Sequence, residues 1–346
     1  MSVLHVHGYG LPTGEVVDLF ADGDQWTTDP VADADLVGEG WVLPGLVDAH
    51  THPGAEEPGT PFDEHLLRAD LRQHVAAGVT LIRSPGLAGQ PPDWVGADPD
   101  LPRAVHAGPW FTRDGQFFDG WGRRPSLAEL PELAAEQARR TGWAKIIGDW
   151  RRDDEPIPAD VLAAVVTAVH AAGGRVAVHA NYAQTSKSAV AAGVDSIEHG
   201  MRLDPDLLPQ LAADGIALTP TLSVIEGMLA NAGDRDLGDL PAAVQAHRDL
   251  VVQAAEAGVT LLAGTDSRPH GRITDEISAL VAAGIRPQDA LAAASWTARA
   301  YLGWAGLEPG APADAVVYDA DPRSDLSQLA NPAAVILRGR LVYRRS

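Results

Sequence analysis

The sequence predicts an α/β chain: a (β/α)8 TIM barrel carrying a small β-sandwich domain built from both termini. Three observations predict it. Short apolar runs alternate with amphipathic stretches through the middle of the chain. Eight such runs fall within roughly 250 residues, the length of one such barrel. The two ends instead alternate apolar and polar positions around turn signals. A doubly wound open sheet is the alternative that the same alternation allows.

The eight runs cover 46–49, 79–84, 103–107, 144–148, 175–179, 196–199, 216–219 and 260–264. They are short and mostly apolar, as parallel strands buried on both faces must be. Between them, 62–77 reads as a helix that stops at Gly78. Residues 127–140 follow Ser126, an N-cap with Glu129 as its capping-box partner, while Pro131 offers a competing first turn. Further helices are expected at 159–172, 240–257, 273–283 and 287–301, stopped by Gly173, Gly258, Gly284 and Gly303. At the ends, 1–44 carries Thr13-Gly14 and Asp22-Gly23 as turns. Strand-like runs at 313–318 and 335–343 follow Gly306, the second with a hairpin turn at Arg338-Gly339-Arg340. The expected division is 1–44 plus 307–346 for the β-domain and 45–306 for the barrel.

Composition narrows the function classes. Hydrophobic residues make up 45% of the 346, enough for a sizeable core. The chain has no cysteine, so disulfides and thiolate metal sites are excluded and any metal must be held by nitrogen and oxygen. A net charge of −21 disfavours nucleic acid and anionic membranes as partners. Residues 1–10 lack a basic start, and no run reaches the ~18 apolar residues of a membrane helix. The expectation is a cytoplasmic protein acting on a small molecule.

The segment 41–54, WVLPGLVDAHTHPG, places His50 and His52 two apart at a strand end, so both side chains share a face and together can chelate one ion. His-x-His alone is weak: His5-Val6-His7 repeats it near the N-terminus and reads as plain strand residues of the β-domain. Company separates the two pairs. Lys145 lies in a β-like run, His179 and His199 end two others, and Asp266 follows the eighth. In a barrel the C-terminal strand ends converge on one site. Taken singly, Lys145 has the alternative of a surface lysine, which its apolar run argues against, His179 alone is more often a satisfied core histidine, and Asp266 can cap the next segment as well as act in a site.

The pattern PGLVDAHTH … Lys145 … His179 … EHG … GTDS closely resembles the amidohydrolase superfamily, most of all its branch with a binuclear centre and a carboxylated lysine. The stretch 263–303 with 306–322 also resembles imidazolonepropionase-like and prolidase-like members. The resemblance implies two divalent ions, zinc by default. His50, His52 and Asp266 would hold the more buried one and His179 and His199 the second, with a CO2-derived carbamate on Lys145 bridging them. It implies hydrolysis of an amide-type bond in an N-acyl amino acid, a dipeptide or a cyclic amide. A hydroxide between the ions would attack, with Asp266 as proton carrier. Lactone or ester hydrolysis uses the same machinery. A mononuclear deaminase or imidazolonepropionase-like ring hydrolase is the other alternative, and Lys145 is the residue that discriminates. A barrel kept only as a scaffold should have lost ligands, and all six are present. Homo-oligomers enter by analogy alone.

The match departs where substrate would sit. Thr112-Arg113-Asp114-Gly115-Gln116 stands where relatives carry Thr-Gly-Gly-His, putting Gln116 in place of a histidine. His179-Ala180-Asn181 replaces His-Ala-His, and Arg83-Ser84-Pro85-Gly86 replaces Arg-Asp-x-Gly. Gln116, His270 and Arg113 are the substrate-contact candidates, with Arg83 and Arg202 as further cations by loop position. The aromatics Trp110, Phe111, Phe117, Phe118 and Trp121 read equally as a pocket wall or a satellite core.

Overall fold

A computed structural model describes residues 3–233 and 237–345, so the outermost positions of the expected terminal unit, 1–2 and 346, lie outside the described residues. The chain opens with β1 (Leu4–Gly10), β2 (Glu15–Asp22), β3 (Gln25–Thr27) and β4 (Asp35–Pro44), then enters β5 (Leu46–Asp48). Helix α1 (Glu64–Ala76) starts where Asp63 Oδ1 accepts the Leu66 N–H. It leads to β6 (Val79–Ser84) and β7 (Arg103–His106). Helix α2 (Leu130–Thr141) begins later than the capping box suggested. Pro131 sits in its first turn, while Ser126 and Glu129 bond to each other just ahead of it. Then follow β8 (Trp143–Ile147), α3 (Ala159–Ala171), β9 (Arg175–Ala180), α4 (Ala183–Ala192), β10 (Ser196–His199), α5 (Leu208–Asp214) and β11 (Ala217–Thr219).

The expected parallel strands form two sheets, β5-β6-β7 and β8-β9-β10-β11. Continuous ladders do not close them into a ring among the described residues; a few isolated backbone bonds lie on either side. Phe111 donates to Lys145 O and accepts from the Ile147 N–H on one side. On the other, Leu262 N–H donates to Leu218 O and Ala49 N–H to Ala263 O. The eighth run, 260–264, is therefore a bridged segment rather than a strand. Gly264 is needed there, because a Cβ would lie 2.4 Å from His50 Cβ.

The outer helices continue with α6 (Leu222–Ala230), α7 (Leu240–Glu256), α8 (Ile273–Ala283), α9 (Pro287–Ala293) and α10 (Trp296–Tyr301). A single helix over 287–301 fails for a backbone reason. The carbonyls of Ala293 and Ala294, which a continuing helix would use, accept instead the N–H groups of Ala263 and Val47. Ser295 leaves helical geometry and its hydroxyl donates to Pro44 O at 2.7 Å. Helices α4, α5 and α6 were not singled out from sequence. The apolar faces of the helices pack on the strands in one large core.

The chain ends in β12 (Ala315–Tyr318), β13 (Ala334–Leu337) and β14 (Arg340–Arg344), with Arg338 and Gly339 both at positive φ in the tight hairpin turn. These strands join the first four in one seven-stranded sheet ordered β14-β13-β12-β4-β1-β2-β3. The two ends of the chain meet, but in one layer rather than the two facing layers of a sandwich. No helix among the described residues is long and apolar enough to cross a membrane.

Candidate metal centre

His50 and His52 follow β5 with their Nε2 atoms 3.1 Å apart, and Asp266 Oδ1 lies 3.7 Å from the first and 3.2 Å from the second. Each ring has its other nitrogen engaged. His50 Nδ1 lies 2.6 Å from Glu198 Oε2, and His52 Nδ1 lies 2.6 Å from Gly86 O. An oxygen acceptor at Nδ1 takes the ring proton there and leaves the Nε2 lone pair facing the centre. Two facing lone pairs and a carboxylate form a cation-binding set.

The second half of the centre adjoins it. His199 packs 5.0 Å from His50 and 4.6 Å from His179, ring centre to ring centre. Its Nε2 is 3.9 Å from Asp266 Oδ2, and its Nδ1 is 2.8 Å from Thr221 Oγ1. His179 sets Nε2 3.1 Å from the Asn181 amide nitrogen and 3.9 Å from Asp149 Oδ1. Lys145, in the middle of β8, is 1% exposed, and its Nζ has no hydrogen-bond partner. His50, His52 and Asp266 thus form one tight group, with His199 and then His179 packed beside it, and Lys145 lies near enough to act electrostatically on His50, His179, His199 and Asp266.

Electrostatics follow from burial. Burial lowers the Lys145 ammonium to about 8, even against the attraction of Glu198. Burial also lowers His50 to about 4 and His179 to about 3, so both rings are neutral donors at neutral pH. Burial pushes Asp266 up, but the imidazoles of His50, His52 and His199 outweigh it and hold the carboxyl well below its usual range. His199, Thr221 and Asp266 all adopt positive φ, the kind of local strain that collects at functional sites.

Residues outside the expected set hold this arrangement. Glu198, fully buried, receives Arg83 Nη2 at 2.8 Å and the Ser196 hydroxyl at 2.6 Å. A charged residue inside an apolar strand beside His199 was the available signal. Arg83 is therefore not an exposed substrate anchor: it is 1% exposed and also donates to Ala49 O and Thr219 Oγ1. Asp48 binds the Thr265 hydroxyl at 2.7 Å and the N–H groups of Thr265 and His50, tying β5 to the Asp266 segment. Asp149 accepts the N–H groups of Asn181 and Tyr182 just ahead of α4, fixing the turn that follows His179.

The substrate-contact candidates are scattered. His270 is buried, with Nδ1 3.0 Å from Thr51 Oγ1 and Nε2 3.4 Å from Asp70. Gln116 and Arg113 both donate to Glu155 O, and Arg202 pairs with Asp239. Among the aromatics, Trp110 stacks on Trp121 at 5.1 Å and lies 5.2 Å from His52. Half-buried Phe117 and Phe118 pack edge-on against Trp150, which adjoins His179 at 5.8 Å. An open cavity of about 660 Å³ beside Ser267 and Arg268 is walled by Val224, Met228, Leu240 and Arg272.

The sequence model of the amidohydrolase family matches residues 41–342. An uncharacterized protein of Mycobacterium tuberculosis is 39% identical over 360 residues, covering 97% of this chain and 95% of that one. Ochratoxinase of Aspergillus niger is 28% identical over 240 residues, 62% of this chain and 50% of its own. Its crystal structure superposes with a TM-score of 0.84 at 20% identity, covering 99% of this chain and 96% of that chain. A Xaa-Pro dipeptidase with bound methionine superposes with a TM-score of 0.83 at 23% identity, over 99% and 100%.

Proposed function

The chain belongs to the amidohydrolase family and is a hydrolase acting on carbon–nitrogen bonds, and on that premise we propose a binuclear, metal-dependent amide hydrolase of N-acyl amino acids or dipeptides. His50, His52 and Asp266 would hold one divalent ion and His179 and His199 the other, with Lys145, as its carbamate, between them. The observation that carries this reading is Lys145: a buried amine without a partner, among neutral imidazoles and a carboxylate. An ammonium there would repel cations, whereas a carbamate offers two anionic oxygens. The donor set of nitrogen and oxygen suits zinc. The same residue disfavours the mononuclear reading, which has no use for it.

When bound, the ions would polarise the amide carbonyl and acidify water. The remaining work falls to the chain. Asp266, held ionised by three imidazoles, takes a proton from the attacking water on a carboxylate oxygen and returns it to the leaving nitrogen. Glu198, Gly86 O and Thr221 fix the ring orientations of His50, His52 and His199. Arg83 keeps Glu198 ionised and immobile. The Trp150 ring beside His179, backed by Phe117, shields that side from bulk water.

The dipeptide class is supported by the named activity of the Xaa-Pro dipeptidase neighbour and the amide class by the family. We also read the bridged sheets as one (β/α)8 barrel spanning 45–306, with 1–44 and 307–346 as a separate terminal unit. The test is hydrolysis of a panel of N-acyl amino acids and dipeptides by zinc-loaded protein, by chelator-stripped protein and after zinc return. Activity that vanishes on stripping and comes back with zinc is expected. Amide hydrolysis indifferent to chelation would contradict the proposal.

A further inference from the structure

The outer face of the terminal sheet gathers a second set of donors. His5 and His7 alternate with buried Leu4, Val6 and Gly8 along β1, so both rings project from the exposed face. The antiparallel register sets Asp18 of β2 directly opposite His7 and diagonal to His5. The spacing His-x-His alone names no third ligand; strand pairing supplies it. Asp18 Oδ1 lies 2.5 Å from His5 Nε2 and 3.5 Å from His7 Nδ1, and the three ligand atoms fall within 4.8 Å of one another.

An ordinary His–Asp pair uses one ring. Here two imidazole nitrogens from different rings converge on one carboxylate oxygen. His5 is steadied by stacking on Phe20, with ring centres 4.3 Å apart and planes 5° from parallel. That stacking fixes the ring plane and leaves Nε2 aimed at Asp18. Tetrahedral bonds of ~2 Å set ligand atoms a little over ~3 Å apart, so small side-chain rotations accommodate an ion.

We propose that His5, His7 and Asp18 form a surface site for a divalent transition ion such as Zn2+, separate from the catalytic centre. Two nitrogens and one oxygen select zinc, nickel or copper over magnesium or calcium, which prefer oxygen. Three protein ligands leave a position for water. Side chains 24%, 47% and 59% exposed make the site open and weaker than the buried one.

The test is calorimetric titration of Zn2+ into zinc-loaded, desalted protein, comparing wild type with the His5→Ala/His7→Ala double variant and with Asp18→Asn. Wild type should take up one more ion per chain than the double variant at micromolar free zinc. Asp18→Asn, nearly isosteric, should weaken that event by about tenfold or more. The readout is a difference between proteins of identical catalytic centre, so it stands whatever the catalytic metal count proves to be. Equal uptake by wild type and the double variant overturns the site. Unchanged affinity in Asp18→Asn overturns the carboxylate as a ligand and with it the site as drawn.

Discussion

Two places in this chain gather the same donors: two histidines spaced His-x-His and an aspartate from a distant segment. At His50, His52 and Asp266 the rings are backed by Glu198 and Gly86 O, which fix each proton on Nδ1. At His5, His7 and Asp18 the rings meet the carboxylate on an exposed sheet face, and only stacking on Phe20 restrains one of them. Donor identity is therefore shared, and the environment differs. Burial keeps the His50 ring neutral, Lys145 lies buried without a hydrogen-bond partner, and backbone at positive φ carries Asp266 and His199. The outer set has the ligands without the supporting apparatus, which suits binding and not catalysis.

That contrast can be attacked directly, starting with the largest effect. Asp266→Asn removes the proposed proton carrier and should lower kcat on an amide substrate by about 10²- to 10⁴-fold, whereas Asp18→Asn should leave kcat unchanged. Steady-state kinetics on both variants decides. Glu198→Gln should weaken zinc binding at the centre by about 10- to 100-fold, by loosening the His50 tautomer. It also leaves Arg83 buried with reduced compensation, so urea unfolding should show a loss of about 3 kcal/mol. Thr221→Val should move zinc affinity less, by about tenfold, because only His199 loses a partner.

The network under the segment that carries His50 and His52 should also answer to acid. Burial pushes Asp70 up, but His270, Arg268 and the Gly54 N–H overcome it and hold the carboxyl down to about 2. A depressed folded-state value contributes stability above the ordinary 3.8 that is lost as pH falls through about 2. Over that window Asp70 should contribute about 2 kcal/mol, absent in Asp70→Asn. Acid titrations of wild type and Asp70→Asn followed by circular dichroism would show it. Smallest of all, His7→Ala without added zinc should change stability by less than about 0.5 kcal/mol, as an exposed pair does.

What could be read from sequence follows the same line between local and non-local. The runs 79–84 and 196–199 were legible at their observed bounds because apolar content and turn residues are local properties. The histidines and Asp266 of the proposed centre lie at or shortly after the ends of strands or of the 260–264 run, so strand recognition also located them, while Lys145 stood out as a charge in the middle of an apolar run. The break at Ser295 was not, since it depends on N–H groups of Ala263 and Val47, remote in sequence. Arg83 looked like a free cation until folding placed Glu198 beside it. Asp18 acquired its meaning only through the register of β1 against β2.

The most direct measurement is zinc per chain after incubation with bicarbonate, made on the His5→Ala/His7→Ala background so that the outer face does not contribute. Two ions per chain are expected, falling to one or fewer when Lys145→Ala is added. One ion in both proteins would contradict the paired centre and leave Lys145 without a role in it.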